Sequence, residues 1–178
     1  MNLGDLTPQQ LEDAMHSVLC NAGFAFTSAI WRDRSMTAAW PHVDPVLRRC
    51  WAQGWLHDQR GRARELGFEP DEVVEAFTEE EPQHSLWSVF EDLQVRALLE
   101  WKPGVHEWWA TARHIVAGLD LEMLYMMPKP AEGDIAAADS PFLQLLMRYD
   151  QAAGWRVLNF LSEEIPVPGW PPRLGASH

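Results

Sequence analysis

The chain has 178 residues, 47% of them apolar and 22% charged, which suits one domain with a sizeable core and excludes a disordered, collagenous or disulfide-stapled chain. Its 14 Lys and Arg against 26 Asp and Glu leave a net charge of −12, which argues against nucleic acid as a partner, because phosphate binding runs on clustered cations. With no cationic stretch followed by an apolar one at the N-terminus, and no run of about 18 apolar residues downstream, a cytoplasmic protein without membrane contact is expected.

Thr7, Pro8 and Gln10 mark a helix start: Thr7 as N-cap, Pro8 at the first helical position and Gln10 closing a capping box, with Leu6 and Leu11 placed as a hydrophobic staple. Leu11, Met15, Val18, Leu19 and Ala22 follow at helical spacing, and Gly23 is read as the C-terminal stop, giving a helix over residues 8–22. A less regular stretch from Phe24 to Trp40 is expected next. Asp44 and Pro45 then open a helix with Leu47, Cys50, Trp51, Gly54 and Trp55 on one face. Glu69 and Pro70 start a short acidic helix with Val73, Val74 and Phe77 inside, ended by Pro82. Ser85 caps a further helix whose predicted stripe is Leu86, Phe90, Leu93, Ala97 and Trp101, stopped by Lys102, Pro103 and Gly104.

Beyond Gly104 the period falls to two: Leu119, Leu121, Met123, Tyr125 and Met127 alternate with Asp120 and Glu122, as in a strand. Residues 108–116 are expected as a strand, although Trp108, Ala112, Ile115 and Leu119 also suit a helix. Phe142–Tyr149 and Trp155–Leu161 form a predicted hairpin in which Gly154 supplies the left-handed residue. Pairing Tyr149 with Trp155 would oppose Arg148 to Arg156, a destabilising like-charge pair. The register slipped by one is therefore expected: Tyr149 opposite Arg156, Met147 opposite Leu158 and Leu145 opposite Phe160. Residues 128–141 lack periodicity and are read as a lid or mobile loop. Residues 1–164 are taken as one α+β domain and residues 165–178 as a Pro-rich tail. Four prolines should keep the tail extended, excluding helix and ladder alike, and Trp170 should pin it to its own domain.

Arg148-Tyr149-Asp150 and Gly154-Trp155-Arg156-Val157, following helices and a meander over about residues 84–162, resemble the C-terminal half of the nuclear transport factor 2-like superfamily. The resemblance implies a cone: a curved sheet wrapped on helices around an apolar pocket that different members use for cyclisation, isomerisation, dehydration or binding alone. Fold by itself would then leave function open.

A hairpin centred on Gly118 would set His114 opposite Glu122, where the carboxylate could hold the imidazole as a general base, with Tyr125 or Asp120 in support. An ordinary surface cross-strand pair is the plainer reading. His42 near Asp44 could present an acid/base group, although the N-cap role explains Asp44. His106 and His114 lie about 26 Å apart on a strand or about 12 Å on a helix, too far to share an ion, so no metal is expected. Cys20 and Cys50, outside any C-x-x-C pair, are expected as buried reduced thiols, and no cofactor is expected.

Seven arginines fall between residues 32 and 64, while eleven acids face only Arg96 from Glu65 to Glu100. Either the two stretches lie against each other or are solvated, or the acids of Glu69–Glu81 receive a basic protein partner. The ten Trp are the compositional oddity. Trp51, Trp55, Trp87, Trp101 and Trp108, with Met123, are either core or the lining of a pocket for a hydrophobic small molecule. A non-catalytic binding or accessory protein is the leading expectation. A cyclase or isomerase using the His-Glu pair, or an inhibitor-like or immunity-like acidic interaction module, is the alternative.

Overall fold

The computed structural model describes residues 7–57, 59–100, 108–116 as backbone, 120–128 and 142–175. The protein is α+β, with helices first and an antiparallel sheet after them. The elements are α1 (Pro8–Trp31), α2 (Met36–Ala39) with a 3-10 turn over Trp40–His42, α3 (Pro45–His57), α4 (Arg60–Glu65), α5 (Pro70–Thr78) and α6 (Trp87–Glu100). β1 (Trp108–Val116), β2 (Leu121–Pro128), β3 (Leu143–Asp150) and β4 (Gly154–Phe160) follow as a meander in the order β1-β2-β3-β4.

The predicted capping box is present: Gln10 N donates to Thr7 Oγ1 at 3.2 Å, and Thr7 N donates to Gln10 Oε1 at 2.9 Å. Leu6 of the expected staple lies outside the described residues. Helix α1 does not stop at Gly23 but runs on to Trp31. Gly23 is buried where the helix crosses the sheet; a Cβ there would overlap Leu124 Cδ2 and lie 3.5 Å from Leu145 Cδ1. The glycine allows close approach rather than termination, so packing on the sheet extends the helix through it.

Helices α3 and α5 begin where Pro45 and Pro70 predict, but α5 ends at Thr78, ahead of Pro82. In α6 the buried face is Trp87, Phe90, Val95 and Leu98, while Leu93 and Ala97 of the predicted stripe are exposed. The cap also differs: Leu86 N donates to His84 Nδ1 at 3.1 Å, in place of a Ser85 cap.

Residues 108–116 form the expected strand. In β2 both faces are buried. Leu124 and Met126, with Leu143, Leu145, Met147 and Val157, pack on the helices; Leu121, Met123, Leu146 and Leu158 form a second cluster on the opposite face. The hairpin register combines both pairings considered above. Leu145 faces Phe160 as expected, but a bulge follows Leu146, so Met147 faces Val157, Arg148 faces Arg156 and Tyr149 faces Trp155. The like-charge opposition is tolerated because the helical layer supplies an acid to each guanidinium. Asp44 takes Arg148 in two hydrogen bonds of 2.5 and 2.7 Å, and Glu80 takes Arg156. Gly154 turns the hairpin at φ 76°, as predicted.

The Pro-rich tail is not wholly extended. It doubles back, with Val167 N donating to Arg173 O at 2.8 Å and Arg173 N to Val167 O at 2.9 Å, because neither residue is proline and both keep an N–H. Trp170 is half-buried and packs on the core with Arg60 4.9 Å over its ring, and Gly169 N donates to Gln53 Oε1 of α3.

Candidate functional site

The aromatic residues converge on one cluster. Trp40 and Phe77 are fully buried, and their rings meet those of Trp51, Trp55, Trp87 and Phe90 at centroid distances from 5.0 to 6.2 Å. Four of these contacts are edge-to-face, an arrangement that ring quadrupoles favour, and Trp55 is stacked on Phe77. Two of the indoles have acceptors, Trp40 Nε1 donating to Phe77 O at 2.9 Å and Trp87 Nε1 to Thr37 Oγ1 at 2.8 Å, while Trp55 Nε1 is buried without a hydrogen-bond partner. The faces of Trp51, Trp55 and Trp87 are thus occupied by other rings, and the cluster is core. Met123 lies in the cluster on the other sheet face, so it does not meet them. Trp101 and the Trp108 side chain lie outside the described residues.

The expected acid/base set is divided. Position 114 stands opposite Met123, and Glu122 opposite Ile115. The last β1–β2 pair is Val116 with Leu121, leaving an even connection of four residues where the His114-Glu122 pairing needs an odd one. This offset of one puts positions 114 and 122 on opposite faces of the sheet. Glu122 is buried on the face of Leu124 and Met126. Tyr125 is on the other face, where its hydroxyl donates to Glu163 Oε1 at 3.4 Å. Burial first, and the Glu163 charge second, raise the Tyr125 pKa above its ordinary value. Asp120 is exposed, and its carbonyl accepts from Tyr149 N at 2.9 Å.

Sequence reasoning missed Arg48, whose side chain is 1% exposed. Its Nε donates to Trp40 O and Val43 O, and its Nη1 to Thr78 O, so one guanidinium closes the carbonyl ends of the 3-10 turn and of α5. Desolvation lowers its pKa to about 10. A signal was present, since Arg48 falls beside Leu47 and three residues before Trp51, on the margin of the inner face of α3. The charge-biased stretches do lie against each other: Arg49 grips Glu75 at 2.6 and 2.7 Å, and Arg64 approaches Glu69 at 3.8 Å. Asp71, Glu72, Glu79 and Glu81 stay exposed.

One open cavity of about 360 Å³ lies on the outer face of α6, its described lining being Ser88, Val89, Glu91, Asp92, Leu93 and Arg96. Val89 and Leu93, 50% and 44% exposed, give it an apolar floor. Glu91 is held by Ser35 Oγ and Thr37 N, while Arg96 approaches Asp92 at 3.9 Å. It is exposed because the buried stripe of α6 is rotated from the predicted one.

Cys20 and Cys50 are both buried free thiols, and burial pushes the Cys50 thiol up to about 11, which keeps it protonated and unreactive. Among the described residues no group of three or more His, Cys, Asp or Glu is placed to hold a metal ion, and no helix is long and apolar enough to cross a membrane. No family model matches the chain, and no curated protein or solved structure matches it significantly.

Proposed function

We propose that the protein is a non-catalytic binding protein whose ligand is a small amphipathic molecule with an apolar body. The observation that carries this reading is the α6 cavity. It has the size of a small-molecule site and exposed aliphatic side chains at its floor, and Glu91, Asp92 and Arg96 at its edge can orient a polar end. The separation of positions 114 and 122 across the sheet supports binding over acid/base catalysis. The order of helices followed by an antiparallel meander supports the nuclear transport factor 2-like relationship as part of the same proposal.

Trp87 adjoins Ser88 of the lining, so indole fluorescence is a convenient reporter. Titration with a panel of aliphatic amines, acids and alcohols is expected to give saturable quenching by at least one class. Leu93→Asp, on an exposed position, is expected to weaken that binding more than tenfold, because the ligand's apolar body would meet a carboxylate. Absence of quenching across the panel, or equal affinity in Leu93→Asp, overturns the assignment.

A further inference from the structure

A second constellation, away from the α6 cavity, lies where α3, the turn after α5 and the β3–β4 hairpin converge. Three guanidinium groups meet there. Arg148 is answered in full by Asp44. Arg48 and Arg156 share a single acid, Glu80. Its Oε1 is bonded to Arg156 Nη2 and lies 3.9 Å from Arg48 Nη2. With Asp44 engaged by Arg148, the carboxylate in direct reach of both Arg48 and Arg156 is Glu80. Glu79 also acts on Arg48 through its charge, and His42 feels Arg156.

Two donors are left over. Arg48 Nη2 and Arg156 Nε are buried and have no hydrogen-bond partner. The side chains that carry them are 1% and 15% exposed, so both donors are held in fixed positions. The acid between them is different in kind: the Glu80 side chain is 55% exposed and stands on the turn between α5 and Pro82, in reach of solvent. Guanidinium groups are built to take two oxygens at once; Arg48 already holds three backbone carbonyls through Nε and Nη1, and of carboxylate oxygens the pair shares only Glu80 Oε1.

We propose that Arg48 and Arg156 form an oxyanion-binding site, for a carboxylate or phosphate group, in which Glu80 is the resident and displaceable occupant. A tetherd carboxylate competes at an effective concentration on the order of millimolar, so in the wild-type protein an external anion binds weakly. Removing the Glu80 charge exposes the site. A phosphate bridging the pair would engage both leftover donors, whereas an acetate would compete for the place that Glu80 leaves.

The test compares the full chain with Glu80→Gln and with Glu80→Gln/Arg156→Gln, by calorimetric titration and thermal midpoint, in inorganic phosphate, acetate, and potassium chloride at matched ionic strength. Glu80→Gln is expected to bind phosphate or acetate about tenfold more tightly than wild type, with the double variant losing the gain. The phosphate and acetate arms tell the two sources of oxyanion apart. Should Glu80→Gln fail to fold, Glu80→Asp, which keeps the charge but shortens the reach, is expected to show a smaller gain in the same order. Equal anion binding by wild type and the folded variant overturns the proposal. So does a gain that survives Arg156→Gln, or a crystal structure in phosphate showing an adventitious ion only, away from both arginines.

Discussion

At the scale of the residue, His42 shows how burial becomes a pH dependence. Desolvation first, and the Arg156 charge second, lower its pKa below the ordinary 6.5. Below that ordinary value the unfolded chain binds a proton that the folded protein resists, so stability falls as pH drops from about 7 to 5. The depressed carboxyls of Asp33, Glu75 and Asp150 act in the same direction but at lower pH, in the carboxylate range. His42→Gln is therefore expected to flatten the slope of unfolding free energy between pH 7 and 5, measured by urea titration at each pH. An unchanged slope would mean that another group carries the loss. Arg48 teaches the complementary lesson: a charge can be buried when backbone carbonyls ending two helical elements surround it.

At the scale of the element, the C-terminal tail is held by many small ties. Asn159 Nδ2 donates to Glu164 O and Leu174 O, both at 2.7 Å, Gly169 is bonded to Gln53, and Trp170 lies under Arg60. Half-burying an indole contributes about 1–2 kcal/mol, and the tail's prolines limit the entropy lost on docking. Deleting residues 165–178 is expected to lower the thermal midpoint by about 3–8 °C. A midpoint within a degree of wild type would show that the tail contributes nothing. Helix starts were legible in this sequence because caps and prolines act locally, as Thr7, Pro45 and Pro70 show. Helix ends were less so: Gly23 carries the mark of a terminator, yet the cross-chain contact with Leu124 decides its role.

At the scale of the whole molecule, the helical layer and the sheet are joined by polar as well as apolar contacts. Asp44 N donates to Val157 O on the edge of β4, its Oδ1 accepts from Val46 N at the start of α3, and both its oxygens hold Arg148 of β3. One buried carboxylate thus caps a helix, ties it to the sheet and offsets the Arg148-Arg156 opposition. Asp44→Ala is expected to cost about 2–3 kcal/mol, with Arg148→Met costing less and a coupling of about 1 kcal/mol in the double-mutant cycle, measured by urea unfolding. Arg148 is 38% exposed, and solvent screening keeps the coupling modest. A coupling near zero would show that the pair adds nothing to the joint.

The sequence by itself determined the fold class, helices ahead of an antiparallel meander, the helix starts at Pro8, Pro45 and Pro70, the Thr7 capping box, the turn at Gly154 and the burial of both cysteines. All of these follow from periodicity, capping chemistry and hydrophobicity acting over a few residues. The candidate sites depended on longer reach. Whether His114 meets Glu122 turns on one residue of strand offset, to which local pattern is blind. Whether Trp51, Trp55 and Trp87 line a pocket or fill one depends on Trp40 and Phe77 arriving from elsewhere in the chain. Leu93 faces solvent rather than core because α6 is rotated by its packing against α2 through Trp87 and Glu91. Arg148 can stand opposite Arg156 because Asp44 and Glu80, from sequence-distant helices and turns, bring the charges that make the pairing stable. Only tertiary structure brings such groups together, since the energies that select these arrangements belong to contacts between distant segments.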